Sequence, residues 1–376
     1  MVMKIGFSTF VLNGGQTGVA TYIRELLRFL QLEDSENSYD LLMSKHEADL
    51  IPLTNPNFGK TIVPSTINHP LINLAWHNTT LAGLSKKYDL LHIPSARRLP
   101  LNKGTKVVAT VHDLAAFAVD AKYDPARMFF NRKVVPAMIR NADHVITVSH
   151  YTKNDIVRYT GYPENQISVI YSGINRDVFQ PVPADVAREN LQMFHGLDKP
   201  FFVYVSRLEH PAKNHIRLIE AFERFKLEND SDHQLVFAGA DWNGAAIIKS
   251  RAAESPVKDD IIFLGFVPTK SLPLLYSGCD LMVFPSLFEG FGFPMIEALA
   301  CGAPVICSNT SSMKEIAGDL IPTFDPMDSA AIFQCLEATV SKGRNAEIRG
   351  RGMDYATMFD WRETARKVME VYRSFA

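Results

Sequence analysis

The segment EGFGFPMIEALACG, residues 289–302, places two carboxylates around a glycine-rich turn that leads into a helical pattern. Pro294 suits the first helical position, and Gly302 suits the left-handed residue that ends a helix. The amino end of a helix offers N–H donors to phosphate, whereas carboxylates accept hydrogen bonds from hydroxyls. We place Glu289 in the loop and Glu297 in the first turn, where both can face one ligand. A nucleotide sugar satisfies both demands; the alternative is an ordinary junction with two solvated acids.

A second charged group lies in SRLEHPAKN, residues 206–214, which follows an apolar run. Arg207 offers a planar fork of donors, and Lys213 offers a movable point charge. Paired cations stabilise the negative charge that collects on a departing diphosphate, and they do so without a metal ion. A surface ion pair is the alternative interpretation.

Two further positions lie near predicted strand ends in the first half of the chain. Gly15 belongs to the turn NGGQTGVATY, residues 13–22, where glycines permit close approach of the backbone to a ligand. A dinucleotide-binding turn competes with this interpretation, but the spacing is not G-x-G-x-x-G and no acid clearly ends the second strand. His112 follows an apolar strand at the end where open α/β sheets bind ligands, although isolated histidines are more often structural.

Short apolar runs alternate with helical patterns along the chain, which predicts an α/β fold with parallel, doubly wound sheets. The predicted strands are residues 3–9, 40–43, 90–93, 106–110, 144–148, 166–170, 201–205, 235–238, 261–264, 281–285 and 305–308. The predicted helices include residues 19–30, 215–226 and about 361–375. At 376 residues the chain exceeds the usual size of one core, so we expect two domains joined by a linker at residues 171–183.

Composition excludes several classes of protein. With 47% hydrophobic residues and a net charge of −2, the chain reads as a globular protein that does not require nucleic acid. No run is long and apolar enough to span a bilayer, and the N-terminus lacks a signal-peptide pattern. The four cysteines, none in CxxC spacing, fit reduced thiols of a cytoplasmic protein. They are Cys279, Cys301, Cys307 and Cys335.

Basic residues concentrate in residues 86–106, where Asp89 is the only acid. They are Lys86, Lys87, Arg97, Arg98, Lys103 and Lys106. Such a patch could attract an acceptor pyrophosphate or the inner face of the plasma membrane; a solvated face is the equal alternative. Asp230-Ser231-Asp232 has the D-x-D spacing of some metal sites, but it lies in a polar turn, and we expect no metal.

The E-x7-E spacing with G-F-G-F-P between the acids resembles the signature of retaining GT-B glycosyltransferases, specifically glycosyltransferase family 4. Other similar segments are spread over most of the chain. The resemblance implies a GT-B fold, with two Rossmann-like domains facing a cleft. It implies an acceptor domain at residues 1–178, a nucleotide-sugar donor domain at residues 179–359, and a final helix, about 360–376, packed back on the first domain.

The resemblance also implies roles for individual residues. Arg207 and Lys213 would clamp the diphosphate, and Glu297 would bind the ribose hydroxyls. Glu289 would bind a hydroxyl of the transferred sugar. His112 would lie near that sugar and stabilise an oxocarbenium-like transition state. The residues expected to carry catalysis are therefore His112, Arg207, Lys213 and Glu289.

Further donor contacts follow from the same resemblance. Sugar and phosphate oxygens would be held by the backbone N–H groups of Gly290, Phe291, Gly292 and Phe293. The base would be framed by Gly239, Phe266 and Val267. Gly15 would approach the donor phosphate or the acceptor.

The implied activity is metal-independent, retaining transfer of a hexose-type sugar from a nucleotide-diphosphate donor, with no further cofactor. The acceptor would be a glycan or a polyprenyl-linked glycan in surface polysaccharide synthesis. The similarity to bacterial polysaccharide and lipopolysaccharide enzymes favours GDP-mannose, and UDP- and dTDP-sugars stay open. The alternatives are a sugar-nucleotide epimerase on the same fold and a non-catalytic nucleotide-sugar-binding subunit.

Overall fold

The structure, a computed structural model, describes residues 2–15, 17–120, 122–343 and 346–376. The chain forms two compact units. The N-terminal unit comprises Met1–Gly173 and Asp360–Ala376, and the C-terminal unit comprises Ile174–Phe359. The change of unit at Gly173 lies inside the predicted linker and before the expected boundary at residue 178.

Within the described residues, the N-terminal unit contains a seven-stranded parallel sheet in the order β3-β2-β1-β4-β5-β6-β7. The strands are β1 (Lys4–Ser8), β2 (Ser38–Ser44), β3 (Phe58–Val63), β4 (Leu90–Ile93), β5 (Lys106–Val111), β6 (His144–Thr147) and β7 (Ile167–Val169). The helices are α1 (Gly18–Glu33), α2 (Pro70–Asn78), α3 (Thr80–Leu84), α4 (Ala115–Ala118), α5 (Pro125–Phe129), α6 (Val135–Arg140) and α7 (His150–Thr160). The order reverses between β1 and β4, the point at which such sheets bind ligands beyond the strands' carboxyl ends.

The C-terminal unit repeats this plan with a parallel sheet in the order β10-β9-β8-β11-β12-β13. The strands are β8 (Phe201–Val205), β9 (Gln234–Ala238), β10 (Ile261–Gly265), β11 (Leu281–Phe284), β12 (Val305–Ser308) and β13 (Thr323–Phe324). The helices are α8 (Ala184–His195), α9 (His215–Asn229), α10 (Ala245–Ala253), α11 (Leu272–Gly278), α12 (Phe293–Ala300), α13 (Ser311–Ala317), α14 (Ser329–Val340) and α15 (Ala346–Ala356). Its order reverses between β8 and β11.

The last helix, α16 (Trp361–Arg373), packs against α1 in the N-terminal unit. Its buried face includes Trp361 and Tyr372, and Arg366 pairs with Glu33 at 2.9 Å. The hydroxyl of Tyr372 lies 2.5 Å from Nδ1 of buried His92. A polar contact in the core therefore accompanies the apolar packing of α16.

The two sheets confirm the predicted α/β fold. Central strands are almost fully buried on both faces, as expected for near-continuous apolar runs in a parallel sheet. The edge strands β3 and β13 were not predicted. Among the described helices, none combines the length and apolar composition needed to cross a lipid bilayer.

Candidate functional site

The carboxyl ends of β8, β9 and β10 meet in the C-terminal unit. The N–H of Ser206 donates to the carbonyl of Ala238 at 3.0 Å, and the N–H of Gly239 donates to the carbonyl of Gly265 at 2.8 Å. A Cβ atom on Gly239 would lie 2.0 Å from the carbonyl oxygen of Ser206 and 2.8 Å from the amide nitrogen of Arg207. A glycine is therefore required at residue 239 so that the backbone carrying Arg207 can pass close to it.

Lys213 and Glu289, both predicted site residues, contact each other. Lys213 Nζ donates to Glu289 Oε1 at 2.5 Å, and the two side chains are 16% and 17% exposed. The loops that carry them are joined by a hydrogen bond from the N–H of Leu287 to the carbonyl of Ala212 at 2.9 Å. The hydroxyl of Tyr204 also donates to the carbonyl of Lys213 at 2.9 Å. The fold thus brings a cation and a carboxylate together at the carboxyl end of the C-terminal sheet, beyond β8 and β11.

The loop that contains Glu289 is further held by the start of α13. The N–H of Glu289 donates to Ser311 Oγ at 3.1 Å, and the hydroxyl of Ser312 donates to the carbonyl of Glu289 at 2.8 Å. The hydroxyl of Thr310 donates to the carbonyl of Leu287 at 3.1 Å. These bonds fix the backbone of Glu289, which favours a defined position for its carboxylate.

Arg207 has partners that the sequence analysis did not assign. Its guanidinium pairs with the buried carboxylate of Glu209 at 2.7 Å and lies over the ring of Trp242, 4.9 Å from the centroid. The Arg207 side chain is partly exposed, so it retains access to solvent. Glu209 could have been suspected because it lies two residues after Arg207, on the same side of an extended chain.

The glycine-rich turn before α12 differs in one respect from the prediction. Gly292 has φ 98° and precedes the helix, and Gly302 has φ 75° just after it, as a glycine-terminated helix requires. The helix begins at Phe293, so Pro294 is its second residue and Glu297 lies in the second turn. Placing Glu297 in the first turn was wrong, because the helix begins before the proline and not at it.

Backbone groups of this turn remain available to a ligand. In the described part of the chain, the N–H groups of Gly290 and Gly292 donate to no acceptor. The ring of Phe291 is buried and packs edge-on against Phe293, with centroids 5.2 Å apart. Any contact from Phe291 to a ligand therefore comes from its backbone.

Glu297 is 9% exposed, and its Oε2 accepts a hydrogen bond from the hydroxyl of Tyr276 at 3.0 Å. Burial raises the pKa of Glu297 to about 7, and the Tyr276 hydrogen bond opposes that rise. Oε1 accepts from none of the described residues. One oxygen of a nearly buried carboxylate is thus fixed, and the other remains an acceptor.

Phe266 and Val267 follow β10 and differ in exposure. The ring of Phe266 is 53% exposed, whereas Val267 is buried. Because Phe266 lies at the carboxyl end of its strand, its ring can offer a stacking surface to a ligand.

His112 and Gly15 lie in the N-terminal unit. His112 Nε2 is 3.2 Å from the carbonyl oxygen of Pro94, which assigns the proton to Nε2 and leaves Nδ1 as an acceptor. The ring packs edge-on against Tyr22, with centroids 4.7 Å apart, and burial lowers the pKa of His112 to about 4. The imidazole is therefore neutral at pH 7. Gly15 has φ 84°, which favours glycine; residue 16 of its turn lies outside the described residues.

The basic patch is less positive in the fold than its sequence indicated. Lys87 pairs with Asp40 at 3.1 Å, and Asp143 pairs with Lys103 at 2.6 Å and Lys106 at 3.4 Å. Asp89 is therefore not the only acid that opposes these cations, because the fold also places Asp40, on β2, and Asp143, just before β6, beside three of the lysines.

In the described residues, no three His, Cys, Asp or Glu side chains are grouped closely enough to hold a metal ion. The thiols of Cys279, Cys301 and Cys307 are buried, and none of the four cysteines, all among the described residues, forms a disulfide.

Comparison with known proteins adds an independent line of observation. A model described as Glycosyltransferase Family 4 matches residues 16–178, and one described as Glycosyl transferases group 1 matches residues 188–334. O-antigen chain mannosyltransferase B of Escherichia coli is 26% identical over 383 aligned residues, which cover 99% of this chain and 100% of the relative. The serotype-specific mannosyltransferase WbdA of Escherichia coli is 29% identical over 70% of this chain, which spans 33% of that relative.

A solved structure of HepE from Anabaena, in complex with UDP and glucose, has a similar fold. It superposes with a TM-score of 0.77 at 19% identity, covering 99% of this chain and 100% of HepE. At this identity the similarity concerns the fold alone.

Proposed function

The chain belongs to glycosyltransferase family 4 and has the GT-B fold, and we propose that it transfers a hexose from a nucleotide diphosphate to a carbohydrate acceptor with retention of the anomeric configuration. The reaction would need no metal, because Arg207 and Lys213 supply positive charge for the departing diphosphate. No enzymatic nucleophile is required if the acceptor attacks from the face that the diphosphate leaves.

One observation carries this proposal: Lys213 and Glu289 lie side by side at the carboxyl end of the C-terminal sheet. A diphosphate attracts the lysine, and sugar hydroxyls donate to the carboxylate. In the structure the two groups pair with each other. Donor binding would replace this ion pair by a Lys213–phosphate contact and a Glu289–hydroxyl contact.

The remaining donor contacts are assigned by the same chemistry. Glu297 Oε1 would accept hydrogen bonds from the ribose, and Phe266 would cover the base beside Val267. Gly239 would allow the backbone of Arg207 to reach the diphosphate. Sugar and phosphate oxygens would be bound by the backbone of residues 290–293, which includes the two unengaged N–H groups.

The roles of the two predicted residues in the N-terminal unit rest on the family resemblance. His112, neutral and with Nδ1 as an acceptor, would hydrogen-bond a hydroxyl of the transferred sugar. Gly15 would approach the donor phosphate or the acceptor through its backbone.

The names of two relatives favour mannose, and hence GDP-mannose, as donor in this chain. The O-antigen chain in the name of the first relative favours a glycan acceptor in surface polysaccharide synthesis, and the proposal includes a polyprenyl-linked glycan as the alternative acceptor. We also propose a cytoplasmic location with peripheral contact at the plasma membrane. Lys87, Lys103 and Lys106 of the basic patch would contribute little to that contact, because they pair with Asp40 and Asp143.

Thermal-shift measurements with GDP, UDP and dTDP test the donor class, because a ligand that binds the native state raises its unfolding temperature. The sugar nucleotide of the most stabilising base is then incubated with methyl α-D-mannopyranoside, with and without EDTA. We expect a new glycoside of retained configuration in both samples. Stabilisation by none of the nucleotides, or an inverted product, would contradict the proposal. Isomerised sugar from the donor alone would favour an epimerase.

A further inference from the structure

The orientation of the His112 ring depends on its neighbours, because the residue is only partly buried. The ring torsion of a histidine is broad and roughly two-fold, so the side chain by itself does not fix the positions of its two nitrogens. One hydrogen bond, to the carbonyl oxygen of Pro94 at 3.2 Å, holds Nε2. The second contact is the ring of Tyr22, which meets the imidazole at 82° with centroids 4.7 Å apart. This edge-to-face contact favours one plane for the imidazole.

Tyr22 lies on α1 and is itself fully buried. Its ring also contacts that of Trp361, the first residue of α16, with centroids 5.7 Å apart and planes at 64°. Its hydroxyl oxygen lies 3.4 Å from Thr110 Oγ1 on β5. Burial raises the pKa of Tyr22 to about 12, so the hydroxyl stays protonated at neutral pH. Tyr22 is thus held at its ring by α16 and at its hydroxyl by β5.

Buried polar groups connect Thr110 to the other end of α16. Thr110 Oγ1 lies 2.8 Å from His92 Nε2, and His92 Nδ1 lies 2.5 Å from the hydroxyl of Tyr372. All three side chains are fully buried. Burial lowers the pKa of His92 to about 3, so its neutral ring donates from one nitrogen and accepts at the other. Tyr372, His92, Thr110 and Tyr22 form a continuous series of contacts, which we call the polar chain.

A role in the core alone explains the burial of Tyr22 but not its polar partners. A phenylalanine would fill nearly the same space, and apolar residues throughout would avoid the burial of four polar side chains. A buried network whose members are satisfied rigidifies its elements and specifies one arrangement of them. Here the arrangement ends at a partly exposed imidazole, since His112 directly follows β5. The polar chain therefore supports a side chain that a ligand can reach.

We propose that Tyr22 is a positioning residue for His112, and that α16 holds Tyr22 in place through Trp361 and the polar chain. This inference rests on the proposed glycosyl transfer, in which His112 would hydrogen-bond the transferred sugar. Tyr22 would hold the plane of the imidazole so that Nε2 stays on the carbonyl of Pro94 and Nδ1 stays directed at the sugar.

Kinetics of the full chain with the nucleotide sugar identified by thermal shift give the first readout. Tyr22→Leu removes the ring beside His112, so we expect kcat to fall about tenfold through misplacement of the imidazole. KM for the nucleotide sugar should stay within about twofold, because the residues proposed to bind the nucleotide lie in the C-terminal unit. Tyr22→Phe keeps the ring and should retain kcat within about threefold of wild type.

The matched control is Tyr162→Leu, which removes another buried tyrosine of the N-terminal unit. The hydroxyl of Tyr162 donates to the carbonyl of Ala142 at 3.1 Å, so this variant loses a ring and a hydrogen bond at a different place in the core. It should lower stability as Tyr22→Leu does but leave kcat within about twofold of wild type. A loss of kcat in Tyr162→Leu equal to that in Tyr22→Leu would overturn the proposal.

A second readout needs no activity. In protein labelled with ¹⁵N-histidine, NMR distinguishes the two neutral tautomers of each imidazole, and the signal of His112 is the one lost in His112→Asn. Wild type and Tyr22→Phe should show one tautomer of His112, with the proton on Nε2. Tyr22→Leu should show both tautomers, because the bond to Pro94 loosens. Trp361→Leu should show a smaller share of the second tautomer.

Unchanged kcat together with a single His112 tautomer in Tyr22→Leu would overturn the proposal. If Tyr22→Leu does not fold, Tyr22→Met takes its place with the same expectations, because its flexible side chain fills more of the space. Absence of transfer by wild type with every sugar nucleotide would instead count against the proposed transferase. The tautomers would still decide whether Tyr22 orients His112.

Discussion

The carboxyl ends of the two sheets carry different chemistry. In the C-terminal unit the cations Arg207 and Lys213 are each already paired with a carboxylate. In the N-terminal unit His112 is neutral, and Asp113 keeps an oxygen to which no described residue donates. Under the proposed function, the carboxyl end of the C-terminal sheet would take an anionic ligand that displaces the acids from the cations, and the carboxyl end of the N-terminal sheet would meet neutral hydroxyl groups. One plan of strands and helices would then support two kinds of recognition.

The largest effect is expected when the cation Lys213 is removed from the carboxyl end of the C-terminal sheet. Lys213→Ala should lower the kcat of transfer by about 10²–10³-fold, because the departing diphosphate loses charge stabilisation. Glu289→Ala should lower kcat by a similar factor, because the hydrogen bond from the sugar hydroxyl to the carboxylate is lost. Steady-state kinetics with the nucleotide sugar identified by thermal shift measure both.

The matched control is Lys199→Ala, whose exposed lysine pairs with Asp260. It should change the rate by less than about twofold. A Lys213→Ala enzyme whose kcat is within threefold of wild type would contradict the difference drawn between the carboxyl ends of the two sheets.

The next effect concerns the backbone that carries Arg207. Gly239→Ala places a methyl group against the carbonyl of Ser206, so the Ser206–Arg207 segment must shift. We expect affinity for the donor nucleotide to fall about tenfold and the free energy of unfolding to fall by about 1–3 kcal/mol. Calorimetric titration and urea unfolding measure the two quantities.

Gly83→Ala provides the control, because a Cβ atom there meets nothing within 4 Å. Its helical site should tolerate alanine with unchanged or slightly higher stability. Unchanged donor affinity in Gly239→Ala would show that close packing at residue 239 serves no binding role.

A smaller effect should follow from Tyr276→Phe. The Tyr276 hydroxyl lowers the pKa of Glu297, so its loss should raise that pKa above about 7. If ribose hydroxyls need the carboxylate, GDP affinity rises as Glu297 loses its proton, and this rise should move to higher pH in the variant. At pH 7 we expect affinity to drop about threefold. Titrations from pH 6 to 9 give the ratio of the GDP Kd values of the two proteins. The ionisation of GDP itself cancels in this ratio.

Tyr355→Phe serves as control, since its hydroxyl donates to the carbonyl of Ile316 and not to Glu297. Identical pH profiles for wild type and Tyr276→Phe would argue that Glu297 does not bind the ligand as a carboxylate.

The smallest effect belongs to the N-terminal unit and concerns stability. Tyr372→Phe leaves Nδ1 of buried His92 without its partner, which should cost about 1–2 kcal/mol in the free energy of unfolding. Urea unfolding measures it. Stability equal to wild type would show that the contact between Tyr372 and His92 contributes nothing to the docking of α16.

Local patterns predicted the central strands well because each is a short apolar run bounded by polar residues. The strand β3 (Phe58–Val63) was not recognised, since it contains Gly59 and Lys60 and forms the edge of its sheet. The strand β13 has two residues, too few for a periodic signal. Edge strands are half exposed, so their composition differs less from that of loops.

The candidate site was predictable only as far as residue types carry information. The pairing of Lys213 with Glu289 joins residues 76 positions apart, and the sequence could place both at strand ends but not in contact. Tyr276 gave no signal, because a tyrosine in an apolar helix is ordinarily a core residue. The close contact at Gly239 depends on the spacing of two strands, which only the fold determines.

The central claim is that Lys213 recognises a diphosphate. Calorimetric titration of wild type and Lys213→Ala with GDP and with guanosine tests it directly. If UDP or dTDP stabilises the protein more than GDP does, that diphosphate and its nucleoside are used instead. The account predicts that wild type prefers the diphosphate over the nucleoside by at least about tenfold and that the variant loses most of this preference. An unchanged preference in Lys213→Ala would contradict it.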